Sequence, residues 1–202
     1  MVSVPLASGD DPSTDARPTT PQGPGSPNST QPGSAPPRAE GDFAFPDAAG
    51  WTKLEFHRYD RPELGVSLGY RFTGEAGQAT VFVYDDGVSD VPDDVEADVV
   101  SAQFAQAQAE VAFAGDRGMY KEASLIGRRL VRVGPRAMHH AHYRLVTPKG
   151  LALGSDIYLF TFGGQFVKVR VSYDETAARS ASRGIETLLE ALVEATARPQ
   201  QA

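Results

Sequence analysis

Between Tyr120 and Tyr173 the chain holds four stretches rich in β-branched and aromatic residues, at 120–133, 136–147, 151–162 and 165–173. They are interrupted only by Gly134-Pro135, Pro148-Lys149-Gly150 and Gly163-Gly164. Breaks this short join antiparallel neighbours, because a parallel crossover takes about a dozen residues or more. Gly163-Gly164 is the strongest turn signal, since a two-residue primed turn requires positive φ at one or both central positions. The fold must therefore be organised around an antiparallel sheet containing these strands.

The turns also predict register. As a two-residue loop, Gly163-Gly164 pairs Phe162 with Gln165 and Leu159 with Lys168. The same reading of Pro148-Lys149 pairs Arg144 with Leu153, His142 with Ser155 and His140 with Ile157. One side of the sheet then carries Ala141, Tyr143, Leu145, Tyr158, Phe160, Val167, Val169 and Val171, an apolar core face. The other carries His140, His142, Arg144, Ser155, Lys168, Arg170 and Ser172, a basic and polar face. A one-residue slip at Pro148 would exchange the two sides of the 136–147 strand.

Upstream, 51–59, 66–72 and 79–84 read as three further strands in an antiparallel meander, separated by the turn formers of 60–65 and 74–77. Ala97, Val100, Phe104, Ala107 and Val111 keep a helical spacing after a cap at Asp93 or Asp94, and Gly115 to Gly118 end that helix. A second helix, capped by Asp174, presents Ala178, Ala181, Ile185, Leu188 and Leu192. The predicted class is α+β: a six- or seven-stranded antiparallel sheet packed by two helices, in the order β-β-β-α-β-β-β-β-α.

Ten of the 15 prolines fall at or before Pro46, in a stretch almost without large apolar side chains. It cannot bury enough surface to offset the entropy of ordering, so 1–42 is expected to be a disordered Pro/Ser/Gly-rich tail and 43–198 one domain. A Pro-rich docking motif is the functional alternative for the tail. Ala7-Ser8-Gly9 is the small-x-small pattern that a truncated signal peptide would leave. On that reading the protein is exported, to a periplasm or beyond; with Met1 as the true start it is cytoplasmic. No window reaches the roughly 18 apolar residues of a membrane span.

The 202 residues contain no cysteine, which removes disulfides, thiolate metal sites and cysteine nucleophiles. The net charge of -7 argues against nucleic acid as a partner. Charge is segregated: 85–116 holds nine acidic residues and no Lys or Arg, whereas 119–172 holds nine basic residues against Glu122 and Asp156. The basic sheet face can thus dock an acidic partner or anionic ligand through Arg144, Lys168, Arg170, His140 and His142. Alternatively it is an ordinary half-solvated face that the acidic segment neutralises.

His140 and His142 share a strand face at a spacing open to metal ligation, but no third ligand is evident, and Arg144 and Arg170 on that face would repel a dication. Asp156 is predicted on the apolar face beside Ala141 and Val171, where an unpaired carboxylate is costly. A hydrogen bond to Tyr143 or His139 would satisfy it, and those three residues form the alternative site, a small-molecule or metal pocket open to enzymatic use. The chain has no GxSxG, P-loop, GxGxxG or HExxH pattern, and 85–94 lacks the order of a calcium loop. No catalytic residue, metal or cofactor is assigned.

The element order, the aromatic strand opening at Trp51 and the alternating run Gln165-Phe166-Val167-Lys168-Val169-Arg170-Val171 resemble the PsbP-like superfamily over about 45–197. That superfamily includes the extrinsic photosystem II protein, a nucleotide-release factor for the Ran GTPase and bacterial exported proteins. The resemblance implies a non-enzymatic docking or assembly module with a protein partner, and hands over no catalytic residue. A structural envelope role would differ only in having a constitutive partner.

Overall fold

The computed structural model describes residues 43–73 and 77–197. The expected tail, 1–42, lies outside the described residues. The elements run β1 (Trp51–Arg58), β2 (Val66–Phe72), β3 (Gly77–Tyr84), α1 (Asp98–Asp116), β4 (Glu122–Val133), β5 (Arg136–Val146), β6 (Ala152–Phe162), β7 (Gln165–Asp174) and α2 (Ala178–Ala197). All seven strands join one antiparallel sheet in the order β1-β2-β3-β7-β6-β5-β4. Two meanders are thus sewn together where β7 pairs with β3, and α1 carries the chain from the end of the first meander to the far edge. The α+β class and the element order are those expected from the sequence.

The cover of the sheet differs from expectation. Instead of one core face and one open face, the central strands are packed on both sides. One core joins Val81, Phe160, Val167 and Val169 to Phe43, Phe45 and the apolar face of α2. The other joins Ala141, Leu145, Ile157, Leu159 and Phe166 to Val100, Phe104, Ala107 and Val111 of α1. In β6 every residue from Gly154 to Thr161 is buried, as a strand covered on both faces requires. Burying a Val, Leu, Ile or Phe side chain contributes about 1.5–3 kcal/mol, so both layers hold the fold. At one edge of the sheet, the Trp51 Nε1–H donates to the Gly184 carbonyl at 2.8 Å and ties β1 to α2.

Helix α1 starts later than its acidic signals suggest. Asp94 accepts from the Glu96 backbone at 3.0 Å in a turn ahead of the helix, and Ala97 occupies the cap position without a side-chain bond. Asp93 is turned to other work: it accepts from Thr161 Oγ1 at 3.0 Å and pairs with the Arg136 guanidinium, linking the acidic segment to β5 and β6. At the second helix, Asp174 does cap, accepting from the Thr176 backbone at 2.9 Å in the short turn that leads into α2. Among the described residues no helix is long and apolar enough to cross a membrane.

Burial pushes the hydroxyls of Tyr70, Tyr84, Tyr158 and Tyr173 well above the ordinary tyrosine range, and the Asp156 carboxylate adds to this at Tyr158 and Tyr173. A folded-state pKa above the unfolded value of about 10 gives stability that is complete below that pH and lost as pH rises through the folded values. The urea midpoint is therefore expected to fall as pH rises above about 10. Four of the seven tyrosines should then ionise only with unfolding. Absorbance in the tyrosinate band checks this; all seven ionising while near-UV circular dichroism stays native would contradict it.

Candidate functional site

The geometry of the site is decided by the turn between β5 and β6. Gly163-Gly164 behaves as a two-residue loop, and Phe162 pairs with Gln165 and Leu159 with Lys168. The Pro148 turn does not. Thr147 N–H donates to the Leu151 carbonyl at 2.9 Å, and Gly150 N–H donates to the Thr147 carbonyl at 2.9 Å. Gly150 sits at φ 85, the left-handed position that closes a three-residue hairpin loop. The extra residue shifts the register by one, so Arg144 pairs with Gly154, His142 with Asp156 and His140 with Tyr158.

This shift exchanges the two sides of β5, and both predicted groupings divide. Lys168 and Arg170 stay on the α1 side of the sheet, now with Ala141, Tyr143 and Leu145. His140, His142 and Arg144 move to the α2 side, with Asp156, Tyr158 and Phe160. The expected cluster of Asp156 with His139 and Tyr143 is also separated, since these two lie across the sheet from the carboxylate. His139 stacks on Phe104 of α1 with ring centroids 4.7 Å apart, and its Nε2 lies 2.8 Å from the Val95 carbonyl. Tyr143 is buried under α1, where desolvation raises its hydroxyl's pKa against the lowering charge of Arg170.

The cations of the expected basic face have partners within the fold. Lys168 Nζ lies 3.1 Å from Glu110 of α1 and over the rings of Phe82 and Tyr84, at 5.0 and 5.5 Å from their centroids. Arg170 donates to the Tyr120 hydroxyl at 3.2 Å. Arg144 sits between Glu175 at 3.3 Å and Glu122 at 3.5 Å. The acidic segment thus neutralises part of the basic sheet, at Glu110–Lys168 and at Asp93–Arg136.

What the register brings together is a cluster that neither grouping contained. Asp156 is 4% exposed. Its Oδ1 lies 2.7 Å from His140 Nε2 and 3.0 Å from His142 Nδ1. A carboxylate can only accept, so each of those nitrogens donates to it, and in the neutral ring His142 Nε2 then keeps its lone pair. Tyr158 stacks flat on His140, with centroids 4.5 Å apart and planes 6° from parallel. From β7, Tyr173 brings its hydroxyl beside Asp156. Its ring lies so close to Gly154 that a Cβ there would stand 2.4 Å from Cε2, so any side chain at 154 would displace the Tyr173 ring.

The cluster forms one wall of a cavity of about 390 Å³ between the β4–β7 half of the sheet and α2, with Ile126, Arg128, Arg129, Ser182 and Ile185 completing it. A bulge between Leu125 and Gly127 in the edge strand β4 turns the strand at its mouth. Arg128 and Arg129 are exposed, and among the described residues no carboxylate pairs with either. Sequence reasoning passed over this arginine pair because it placed no weight on the 120–133 strand. The adjacent guanidiniums between Leu125-Ile126 and Leu130-Val131 were the available signal. Among the described residues no set of three His, Asp or Glu side chains is arranged to hold a metal ion, and both cluster histidines turn a nitrogen to the carboxylate.

No family model matches the chain, and no curated protein matches it. Among solved structures it is similar to cyanobacterial PsbP (CyanoP) from Synechocystis sp. PCC 6803, at 14% identity and a TM-score of 0.48 over 71% of this chain and 81% of that one. It is also similar to a Pseudomonas aeruginosa protein of unknown function, at 11% identity and a TM-score of 0.39 over 77% of this chain and 86% of that one. The Saccharomyces cerevisiae Ran-binding protein Mog1p shows 8% identity and a TM-score of 0.34 over 73% of this chain and 93% of that one. At these identities and TM-scores no family, residue role or partner comes with the likeness.

Proposed function

We propose that the chain is a non-enzymatic binding module that docks an anionic group of its partner at the cavity between β4 and α2. The observation that carries this reading is the contrast among the cations. Lys168, Arg170 and Arg144 are engaged within the fold, whereas Arg129, paired with His140 on the α2 side of the sheet, stands exposed at the mouth of a recess without an acidic neighbour among the described residues; Arg128, paired with Ala141, projects to the opposite face. A guanidinium fork offers two parallel donors to a carboxylate or phosphate, and its charge is always present. Of the residues first considered for anion binding, His140 and His142 line this cavity; the sheet face of Lys168 and Arg170 is the competing surface.

Cross-linked capture from the native host at low and high salt tests the reading. The proteins compared are the full chain, the R128E/R129E double variant and the K168Q/R170Q double variant. A partner that is lost at high salt, absent from R128E/R129E and retained by K168Q/R170Q is the expected result. Retention by R128E/R129E, with its circular dichroism unchanged, would remove the cavity mouth as the docking site.

A further inference from the structure

We infer that the cavity takes a compact organic oxyanion with an apolar body and a hydroxyl group, a small hydroxy acid rather than an acidic protein surface. The inference rests on the anion-docking reading above and narrows its ligand. Three features of the recess support it. The first is charge: Arg129 pairs across strands with His140, which sets it on the α2 side of the sheet, and its positive charge reaches the Tyr158 hydroxyl. An oxyanion entering beside Arg129 therefore gains a two-pronged donor.

The second feature is a directed acceptor. With its Nδ1 proton committed to Asp156, His142 offers Nε2 to a donor, and its side chain is 37% exposed where that of Asp156 is 6% exposed. A hydroxyl on the ligand can donate there, and an anionic oxygen alone cannot. For the neutral ring, the carboxylate behind His142 selects the tautomer with the proton on Nδ1 and the acceptor at Nε2.

The third is size and wall chemistry. Ligand pockets run from about 300 to 1,000 Å³, and this one, at about 390 Å³, sits at the small end. Ile126 and Ile185 line it together with the tyrosines, so a ligand body buried there meets apolar surface on leaving water. A lone Asp or Glu side chain from a protein surface would supply the oxyanion but neither the hydroxyl nor the apolar body.

Calorimetric titration and chemical-shift mapping on the full chain test the inference, with four probes: mandelate, its neutral amide mandelamide, phenyl phosphate and a hexaglutamate peptide. The expected result is saturable mandelate binding that shifts His142 and Arg129 and is at least tenfold weaker for mandelamide. Arg129→Met should weaken mandelate at least tenfold, and His142→Phe should weaken mandelate more than it weakens phenyl phosphate, which has no hydroxyl. Tighter binding of phenyl phosphate than of mandelate would overturn the hydroxy-acid assignment, since phenyl phosphate has no hydroxyl to give His142. Equal binding of mandelate and its amide, or no effect of Arg129→Met, would overturn the inference. If only hexaglutamate binds, and R128E/R129E abolishes it, the small-ligand inference fails while the docking reading stands. If none of the four binds, the small-ligand inference fails, and the docking reading is decided by the capture experiment.

Discussion

Replacing Asp156 by alanine is expected to lower the unfolding free energy by about 3 kcal/mol, the largest loss from any single polar side chain described above. The figure follows from two hydrogen bonds to a charged acceptor, each worth about 1.5–3 kcal/mol, less what relaxation and water entering the cavity recover. The donors left behind differ. His140 is 8% exposed and pinned under Tyr158, so its Nε2–H is left without a partner in the interior, whereas His142 can turn toward water. Asp156→Asn keeps an acceptor oxygen in place and should lose only about half as much, since a neutral acceptor makes the weaker bond. Urea unfolding with unchanged m-value measures both variants. An alanine variant as stable as the parent would mean that the triad of β5 and β6 adds nothing to folding.

Gly65→Ala is expected to cost still more, about 3–5 kcal/mol, combining the strain of a forbidden backbone region with overpacking. Gly65 follows the short turn Pro62–Leu64 at φ 60 and ψ -124, a combination that side-chain-bearing residues do not adopt. A Cβ there would stand 2.0 Å from the Val83 carbonyl oxygen and 2.9 Å from Tyr84 Cα, both backbone atoms that no rotamer change can move. The turn is also bonded on both sides: Tyr59 N–H donates to the Gly65 carbonyl at 3.1 Å, and Asp86 N–H to the Glu63 carbonyl at 2.9 Å. Gly87 supplies the internal control. Its φ is 77 but nothing lies within 4 Å of its Cβ position, so Gly87→Ala should cost only the left-handed penalty of about 1–2 kcal/mol. Equal losses at the two positions would show that the clash at Gly65 relaxes.

The strands and helices were legible because punctuation and period agreed. Gly163-Gly164 fixed the β6–β7 register, and the spacing of Val100, Phe104, Ala107 and Val111 marked the buried stripe of α1. The site was not legible, and one residue explains why. Pro148-Lys149 looks like a complete loop, yet Gly150 joins it with positive φ, and that single residue moves His140 and His142 from one side of the sheet to the other. A second signal pointed the right way. Ile157 to Phe160 is an unbroken apolar run, which marks a strand packed on both faces, whereas the expected one-sided core requires alternation. Taken together with Asp156 two residues before Tyr158, that run implied a polar partner on the same side, and the shifted histidines provide it. The partners of Lys168 and Arg136 lie in α1 and the loop before it, 58 and 43 residues away, a separation at which no local pattern speaks.

The position of β7 between β3 and β6 has a bearing on how the chain reaches its native state. Among the described residues it is the last strand in sequence and the central one in the sheet, bonded to a strand about ninety residues earlier on one side and to its hairpin partner on the other. During synthesis the first meander must wait with the inner edge of β3 bare. Only when Gln165 to Asp174 has emerged from the ribosome can the two halves close into one sheet and α2 settle over the seam. Assembly is gated by β7 and α2, a non-local arrangement of the kind that slows folding and leaves an unpaired strand edge open to wrong neighbours in the meantime.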